Sequence, residues 1–236
     1  MPRGIRPREG MDMARSLRAT ALLIVPLFMI AVSGCASRTA RGAVIGAAGG
    51  AAAGALIGKV AGSTAKGAII GAAVGGVGGA LIGRQMDQQA EELAKEIPGA
   101  TVERVGEGIL VTFESGLLFD FDSDALRPAA RTNLSNLADS LQKYRRTHLL
   151  LVGHTDAAGV DSYNQGLSQR RASTAASFLT SQGVLRSRME TMGRGETEPV
   201  AANDRESGRQ QNRRVEVAIF ANEDYREEAA RQRRAG

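Results

Sequence analysis

Several side chains that could bind a ligand or transfer protons are concentrated between residues 154 and 171. Asp156 follows a short apolar run and precedes a stretch of helical periodicity that contains Asn164, Leu167 and Arg171. On a helix these three positions share one face, with Asn164 about two turns from Arg171. A loop carboxylate and a helix guanidinium can therefore converge. The pair could be a salt bridge that stabilises the fold, or a site for a group that carries both charges.

A second interpretation of the same stretch is that His154 acts in nucleophilic catalysis with Ser168 or Asp156. Ser168 lies inside the helical pattern, whereas a nucleophilic serine is usually exposed on a glycine-rich turn beside oxyanion donors. The sequence around Ser168 has neither feature. We therefore expect no catalytic residues and no enzymatic activity.

Composition argues against two further classes of site. With Cys35 as the single cysteine and His148 and His154 as the only histidines, we expect no disulfide, no metal centre and no cofactor. The formal charge of +5 is concentrated at the N-terminus, because residues 1–34 carry five Arg against two acidic residues. The remainder is close to neutral, so we expect no nucleic-acid partner.

The elements that would position these residues occupy residues 100–222, where apolar, polar and charged residues are mixed as in a globular domain. Alternation and helical periodicity predict strands over 101–105, 109–113, 117–121, 149–152, 189–193 and 214–220, and helices over 126–144, 160–181 and 205–211. The expected fold class is α+β, a β/α/β/α/β sandwich with helices on one face of a mixed sheet.

The N-terminus has the layout of a secretory signal, with arginines followed by an apolar run over residues 19–32. This run is shorter than the roughly 20 residues that a membrane-spanning helix needs. It ends in Val32-Ser33-Gly34-Cys35, which resembles a bacterial lipobox, and the resemblance implies that Cys35 is the lipidated residue. In the lipoprotein family an Asp after the cysteine tends to hold the protein in the inner membrane; this position is Ala36 here, so the resemblance implies delivery to the outer membrane.

Glycine recurs at every fourth position in two arms, residues 42–58 and residues 67–83. On a helix each set would form a groove without side chains, into which another helix can pack closely. Residues 59–66 read as a turn between the arms, so we expect a glycine-zipper helical hairpin that associates with a membrane or with itself. A flexible Gly/Ala linker is the alternative.

The later segment resembles the OmpA C-terminal domain family, and the whole architecture is similar to small OmpA-type lipoproteins of the YiaD kind. The resemblance lies in blocks that occur in the family's order: Leu118-Phe119-Asp120-Phe121-Asp122-Ser123, Val152-Gly153-His154-Thr155-Asp156, Tyr163 to Ala172, Gly193-Arg194-Gly195-Glu196 and Asn212-Arg213-Arg214-Val215-Glu216. These blocks imply an OmpA-like fold preceded by the glycine-zipper hairpin.

The resemblance also implies the ligand. The family binds peptidoglycan by holding the ammonium and carboxylate of meso-diaminopimelate in the stem peptide. By motif, Asp156 is the anionic residue and Arg171 the cationic one, whose planar fork suits a carboxylate. Asn164, Leu167 and Asp122 complete the predicted site.

The expected protein is an acylated lipoprotein of the outer membrane, with its C-terminal domain in the periplasm. It would tether the membrane to the wall without covalent attachment to peptidoglycan. The alternative is a membrane-associated homo-oligomer or pore-like assembly, built by residues 42–83 and positioned by the wall domain. The predicted segments are 1–34 (signal peptide), 35–41 (lipidated N-terminus), 42–83 (hairpin), 84–99 (helical spacer), 100–222 (peptidoglycan-binding domain) and 223–236 (charged tail).

Overall fold

A computed structural model of the chain describes residues 62–74 and 79–235. Its centre is a five-stranded mixed sheet in the order β1-β2-β5-β3-β4, in which only β3 and β4 run parallel. The strands are β1 (Ala100–Val105), β2 (Gly108–Glu114), β3 (Thr147–Gly153), β4 (Met189–Gly193) and β5 (Arg214–Ala221). The predicted α+β class with a mixed sheet is confirmed.

Seven helices surround this sheet within the described ranges. They are α1 (Thr64–Val74), α2 (Gly79–Glu96), α3 (Ser115–Leu118), α4 (Pro128–Lys143), α5 (Asp161–Ser181), α6 (Glu206–Asn212) and α7 (Glu223–Ala235). A 3-10 turn, Arg186–Arg188, leads into β4. None of the helices in this part of the chain is both long enough and apolar enough to cross a membrane.

The main core lies between one face of the sheet and helices α2, α4, α5 and α7. Helix α4 begins with Pro128 at its first position, where the missing N–H is not needed, and buries Leu134, Leu137 and Leu141. These three leucines recur at helical spacing, which is why the sequence pattern located this helix correctly.

The second face of the sheet is also covered, although the sequence predicted helices on one face. Helix α1, from the predicted second glycine arm, lies across the apolar residues Leu110, Leu150, Val152, Ala218 and Phe220. The continuous apolar run in β3 points to this outcome, because a strand that is apolar on both faces must be covered on both.

The segments predicted as a spacer and a charged tail belong to the main core. Met86 and Leu93 of α2 are fully buried, and Tyr225 and Ala229 of α7 are nearly so. Both helices are amphipathic, so their polar faces dominate the composition while their apolar stripes pack inward.

Two further expectations differ from the structure or lie outside it. The predicted strand over 117–121 is instead the short helix α3, followed by an isolated bridge between Phe119 and Leu126. The predicted second arm is divided between α1 and α2, and residues 75–78 lie outside the described residues. So do the signal peptide, Cys35 and the first glycine arm.

Candidate functional site

The five predicted ligand-binding residues line one cleft of about 490 Å³. The cleft lies where β3 ends and α5 begins, facing the loop that follows α3. Its lining includes Phe119, Asp120, Phe121, Asp122, Thr155, Asp156, Tyr163, Asn164, Leu167, Arg171 and Arg213. The structure therefore brings together Asp156, Asn164, Leu167, Arg171 and Asp122.

Helix α5 can present three of these residues because it packs directly on the sheet through glycines. A Cβ atom on Gly153 would lie 2.1 Å from the Ser168 carbonyl oxygen, and one on Gly193 would lie 2.6 Å from the Gln169 nitrogen. This close contact determines how far the buried side chains of Asn164, Leu167 and Arg171 reach into the cleft.

Arg171 is a buried cation that is held by backbone groups. Its Nε donates to the carbonyl oxygen of Ser123 at 2.8 Å, and its Nη2 donates to that of Asp120 at 3.5 Å. The guanidinium also lies 5.4 Å from the centre of the Phe119 ring. Burial lowers the pKa of Arg171, and the carboxylates of Asp122 and Asp124 partly oppose this. Within the described ranges, no carboxylate forms a salt bridge with this side chain.

Asp156 pairs with Arg213, whose Nη1 donates to its Oδ2 at 2.5 Å. Its Oδ1 accepts a hydrogen bond from the Ala158 backbone N–H at 3.0 Å. Burial opposes the charge on Arg213, but hydrogen bonds to Glu206 and Asp156 raise its pKa above the ordinary value. The salt bridge considered from the sequence, Asp156 with Arg171, is thus replaced by one with Arg213.

Sequence reasoning did not pair Arg213 with Asp156, because the two residues lie 57 positions apart in the chain. The available signal was the Asn212-Arg213-Arg214 block before the last strand. In the sheet, Gly153 of β3 pairs with Val215 of β5 in antiparallel register. The start of β5 therefore lies beside the end of β3, and this pairing brings Arg213 next to the loop that carries Asp156.

Asn164 forms hydrogen bonds beside the cleft with the loop that carries Asp156. Its Nδ2 is near three acceptors, the carbonyl oxygens of Asp156 (3.3 Å) and Ala158 (3.1 Å) and the Glu196 carboxylate (2.7 Å). The Nδ2 end of the amide is occupied by protein groups, and through it Asn164 positions the 156–158 loop.

The other wall of the cleft is the loop around Asp122, which adopts a positive φ of 56°. The Asp122 Oδ1 accepts a hydrogen bond from the Tyr163 hydroxyl at 2.6 Å, and this bond raises the pKa of Tyr163. Tyr163 ties this loop to α5. Next to it, the Phe121 ring is 93% exposed at the rim.

His154 and Ser168 do not form a catalytic pair. The His154 ring is fully buried, with its Nε2 3.7 Å from the Glu216 Oε2. The Ser168 hydroxyl donates to the Gln165 carbonyl at 2.9 Å and accepts from the Gly195 N–H at 2.9 Å. The Ser168 hydroxyl thus links α5 to the loop after β4, whereas His154 lies beside Glu216 of β5.

Comparison with known proteins gives two family matches, the OmpA family over residues 118–213 and the YMGG-like Gly-zipper over residues 13–87. The peptidoglycan-associated lipoprotein of Mesorhizobium japonicum is 33% identical over 136 residues, which are 58% of this chain and 81% of that protein. The probable lipoprotein YiaD of Escherichia coli K12 is 38% identical over 57% of this chain and 62% of its own length. Outer membrane porin F of Pseudomonas fluorescens is 44% identical over 48% of this chain, and the matched region spans only 34% of the porin.

Solved structures show the same fold. The cell wall anchor of the type VI secretion system from Pseudomonas aeruginosa matches with a TM-score of 0.50 and 32% identity, over 60% of this chain and 97% of that one. A putative MotB-like protein from Desulfovibrio vulgaris matches with a TM-score of 0.55 at 22% identity, over 60% and 94% of the two chains, which shows the fold alone. With the cleft residues on the matched segment, and with four-fifths of a lipoprotein relative covered, this chain belongs to the OmpA family.

Proposed function

We propose that this protein is an outer-membrane lipoprotein that binds peptidoglycan noncovalently through meso-diaminopimelate and so tethers the membrane to the wall. The observation that carries the proposal is the state of Arg171. A buried guanidinium held only by carbonyl oxygens keeps its positive charge unneutralised by any salt bridge in the described part of the chain. A ligand carboxylate would neutralise this charge.

The opposite charge of the ligand would be met by Asp156. An ionised carboxylate has about four lone-pair sites, and Arg213 and Ala158 use two of them. Asp156 can thus accept from an ammonium while Arg213 holds it in place. In the stem peptide, the free ammonium and carboxylate of diaminopimelate lie on the same carbon, at the end of a short aliphatic chain. The Leu167 side chain would contact the methylene groups of that chain, which lead from the charged end to the peptide-bonded end.

The relatives support the same assignment at a coarser level. One is named a peptidoglycan-associated lipoprotein, and a structural match is a cell wall anchor. The chain belongs to their family and contains the cleft. Lipidation at Cys35 would supply the membrane end of the tether, and the signal-like N-terminus supports export.

We further propose a binding role without catalysis, because the cleft pairs fixed charges and lacks an activated nucleophile among the described residues. The alternative, a membrane oligomer built by the glycine segment, receives less support. Part of that segment, α1, packs on the sheet instead of presenting a free apolar helix.

The test is co-sedimentation of the protein with purified peptidoglycan sacculi, with free meso-diaminopimelate as competitor. We expect Asp156→Asn and Arg171→Gln each to weaken retention by about 10-fold to 100-fold, because each leaves an opposite charge of the ligand unpaired. Arg170→Gln is the matched control: it removes the same charge one position away, from an exposed pair with Asp124. Retention of the Asp156→Asn, Arg171→Gln double variant at the unsubstituted level would refute the site.

A further inference from the structure

Helix α1 occupies an apolar docking face on the second side of the sheet. This face, called the dock, consists of Leu110, Leu150, Val152, Ala218 and Phe220, with Val105 and Met192 at its edges. The residues that α1 buries against it are Ala65, Ala68, Ile69 and Ala72. The dock therefore receives a helix with a narrow face of small residues and one larger side chain.

Polar contacts hold the N-terminal end of α1. The Thr64 backbone N–H donates to the Glu198 carboxylate at 3.0 Å, and the Thr64 hydroxyl bonds to the same carboxylate. Arg194 Nε donates to the Thr64 hydroxyl oxygen at 2.8 Å. A carboxylate at this position satisfies a free N–H and complements the helix dipole.

Two more contacts secure the rest of the helix. Lys66 forms a salt bridge with Glu103 of β1 at 3.0 Å. At the other end, Arg226 Nη1 of α7 donates to the Ala72 carbonyl at 2.7 Å. Contacts at both ends and along one face determine the register of α1 on the dock.

A notch in the sheet receives the single large side chain. A Cβ atom on Gly108 would lie 2.5 Å from the Cγ2 of Ile69, so the bare glycine makes the space that Ile69 fills. Val105 pairs with Gly108 across the β1–β2 hairpin and lies beside this notch.

The docking sequence occurs twice in the chain. Residues 64–73 read TAKGAIIGAA, and residues 39–48 read TARGAVIGAA. Eight of ten positions are identical, and the two differences are Lys to Arg and Ile to Val. The four α1 residues that pack on the dock, and Thr64 and Lys66 that form polar contacts beside it, thus have counterparts of the same chemistry: Thr39, Ala40, Arg41, Ala43, Val44 and Ala47.

We propose that the dock is a receptor with two alternative occupants in the same chain, residues 64–73 and residues 39–48. In the second arrangement Thr39 would meet Glu198, Arg41 would meet Glu103, and Val44 would enter the Gly108 notch. Valine fills the notch with one methylene fewer than isoleucine, so residues 64–73 are the preferred occupant. Residues 39–48 bind when the first occupant leaves.

The exchange would change the reach of the tether, a consequence that rests on the proposed lipidation of Cys35. Cys35 lies 29 residues before Thr64 but four residues before Thr39. Fully extended, these lengths span at most about 100 Å and about 14 Å respectively. The occupant of the dock would therefore set how far the wall-binding cleft can stand from the membrane.

The test is crosslinking with a short bis-maleimide in the full chain, with Cys35→Ser to remove the native thiol. Three pairs share Val105→Cys, combined with Ile69→Cys, Val44→Cys or Ile45→Cys. Ile45 is the matched control because its counterpart, Ile70, has an exposed side chain. We expect near-complete crosslinking at 69, little at 44 and none above background at 45.

Ala68→Asp should then release the preferred occupant, because it places a carboxylate at a fully buried position under α1. In that background we expect the 44 crosslink to rise several-fold within single chains, and Thr39→Val to reduce it again. A yield at 44 no greater than at 45, or crosslinks between separate chains only, would overturn the proposal.

Retention on peptidoglycan sacculi is measured on the same samples, together with circular dichroism as a check of folding. Loss of wall binding with the crosslinking pattern intact would count against the proposed function alone. Retained wall binding without the crosslink at 44 would count against the two-occupant dock alone.

Discussion

The charged residues of the cleft are of two kinds. Some have no oppositely charged partner among the residues that the structure describes and can pair with a ligand, and others already form salt bridges within the protein. Arg171 is held by the carbonyl oxygens of Ser123 and Asp120, whereas Arg213 is engaged by two carboxylates, Asp156 and Glu206. Two arginines at the same cleft thus have different roles. The sequence identified Arg171 by its place on the helix. Arg213 comes close to the cleft only through the pairing of strands in the sheet.

Asn164→Asp should be severely destabilising. The substitution replaces an amide donor by a carboxylate that faces two carbonyl oxygens and the Glu196 carboxylate. We expect the free energy of unfolding to fall by about 3 kcal/mol or more, measured by urea denaturation at neutral pH. Asn136→Asp on α4 breaks a more exposed bond to Glu96 and should change it by less than about 1 kcal/mol. Equal effects would contradict a structural role for the Asn164 amide.

The free energy of unfolding should fall as the pH is lowered, because of the buried pair His154 and Glu216. Burial lowers the pKa of His154 below its ordinary value of 6.5. Burial also opposes the charge on Glu216, but the His154 ring and the Arg214 guanidinium hold the pKa of Glu216 at about 2. Both folded-state values are depressed. Each group therefore stabilises the fold above its unfolded pKa, and this contribution is lost as the pH falls.

The loss begins below about pH 6.5, where the unfolded His154 takes up a proton, and Glu216 adds to it from about pH 4.5 toward pH 2. Urea denaturation at pH 8, 6.5, 5 and 4 measures the slope. His154→Gln should flatten it between pH 6.5 and 5. The pKa of the half-buried His148 is also lowered by burial, so His148→Gln should flatten the slope as well, but less than the variant of the fully buried His154. An unchanged slope in the His154 variant would contradict the assignment.

At the scale of elements, the cleft depends on how α5 is seated on β3 and β4. The periodicity of residues 160–181 predicted this helix almost to its boundaries, Asp161–Ser181. Its distance from the sheet was not predictable from periodicity, because it depends on glycines that belong to the strands.

Gly153→Ala should displace α5. The new methyl group would meet the Ser168 carbonyl oxygen at 2.1 Å, and neither backbone can yield without moving the helix. We expect a loss of about 2 to 3 kcal/mol in the free energy of unfolding, with weaker retention on sacculi because Arg171 moves with the helix. Gly166→Ala in the same helix meets only the flexible end of Arg170 at 3.3 Å. It should be neutral or stabilise by roughly 0.5 to 1 kcal/mol. If Gly166→Ala were more destabilising than Gly153→Ala, the strand glycines would not determine the distance between α5 and the sheet.

At the scale of the whole molecule, segments from outside the residues matched to the OmpA family contribute to covering both sides of the sheet. Helices α1 and α2 precede residues 118–213, and α7 follows them. Their contacts with the sheet and the main core make these flanking segments part of one folded unit.

Tyr225→Ala tests whether the C-terminal helix stabilises that unit. The Tyr225 ring is 3% exposed and lies 4.2 Å from the Arg146 guanidinium carbon. We expect a loss of about 3 kcal/mol on urea denaturation, since a buried aromatic ring is removed. Arg231→Ala on the exposed face of α7 should change the value by no more than about 0.5 kcal/mol. A negligible effect of the Tyr225 variant would instead support the charged tail that was predicted from the composition of this segment.

The sequence by itself determined most of the elements and the shared face of Asn164, Leu167 and Arg171, because these follow from periodicity within a few helical turns. Tertiary structure alone decided that Arg213 holds Asp156 and that α1 covers the second face. Both depend on β5 lying between β2 and β3, a pairing between residues far apart in the chain. Local patterns carry no information about which distant strand becomes a neighbour. The partners of each charge and each apolar face were therefore decided only when the chain folded.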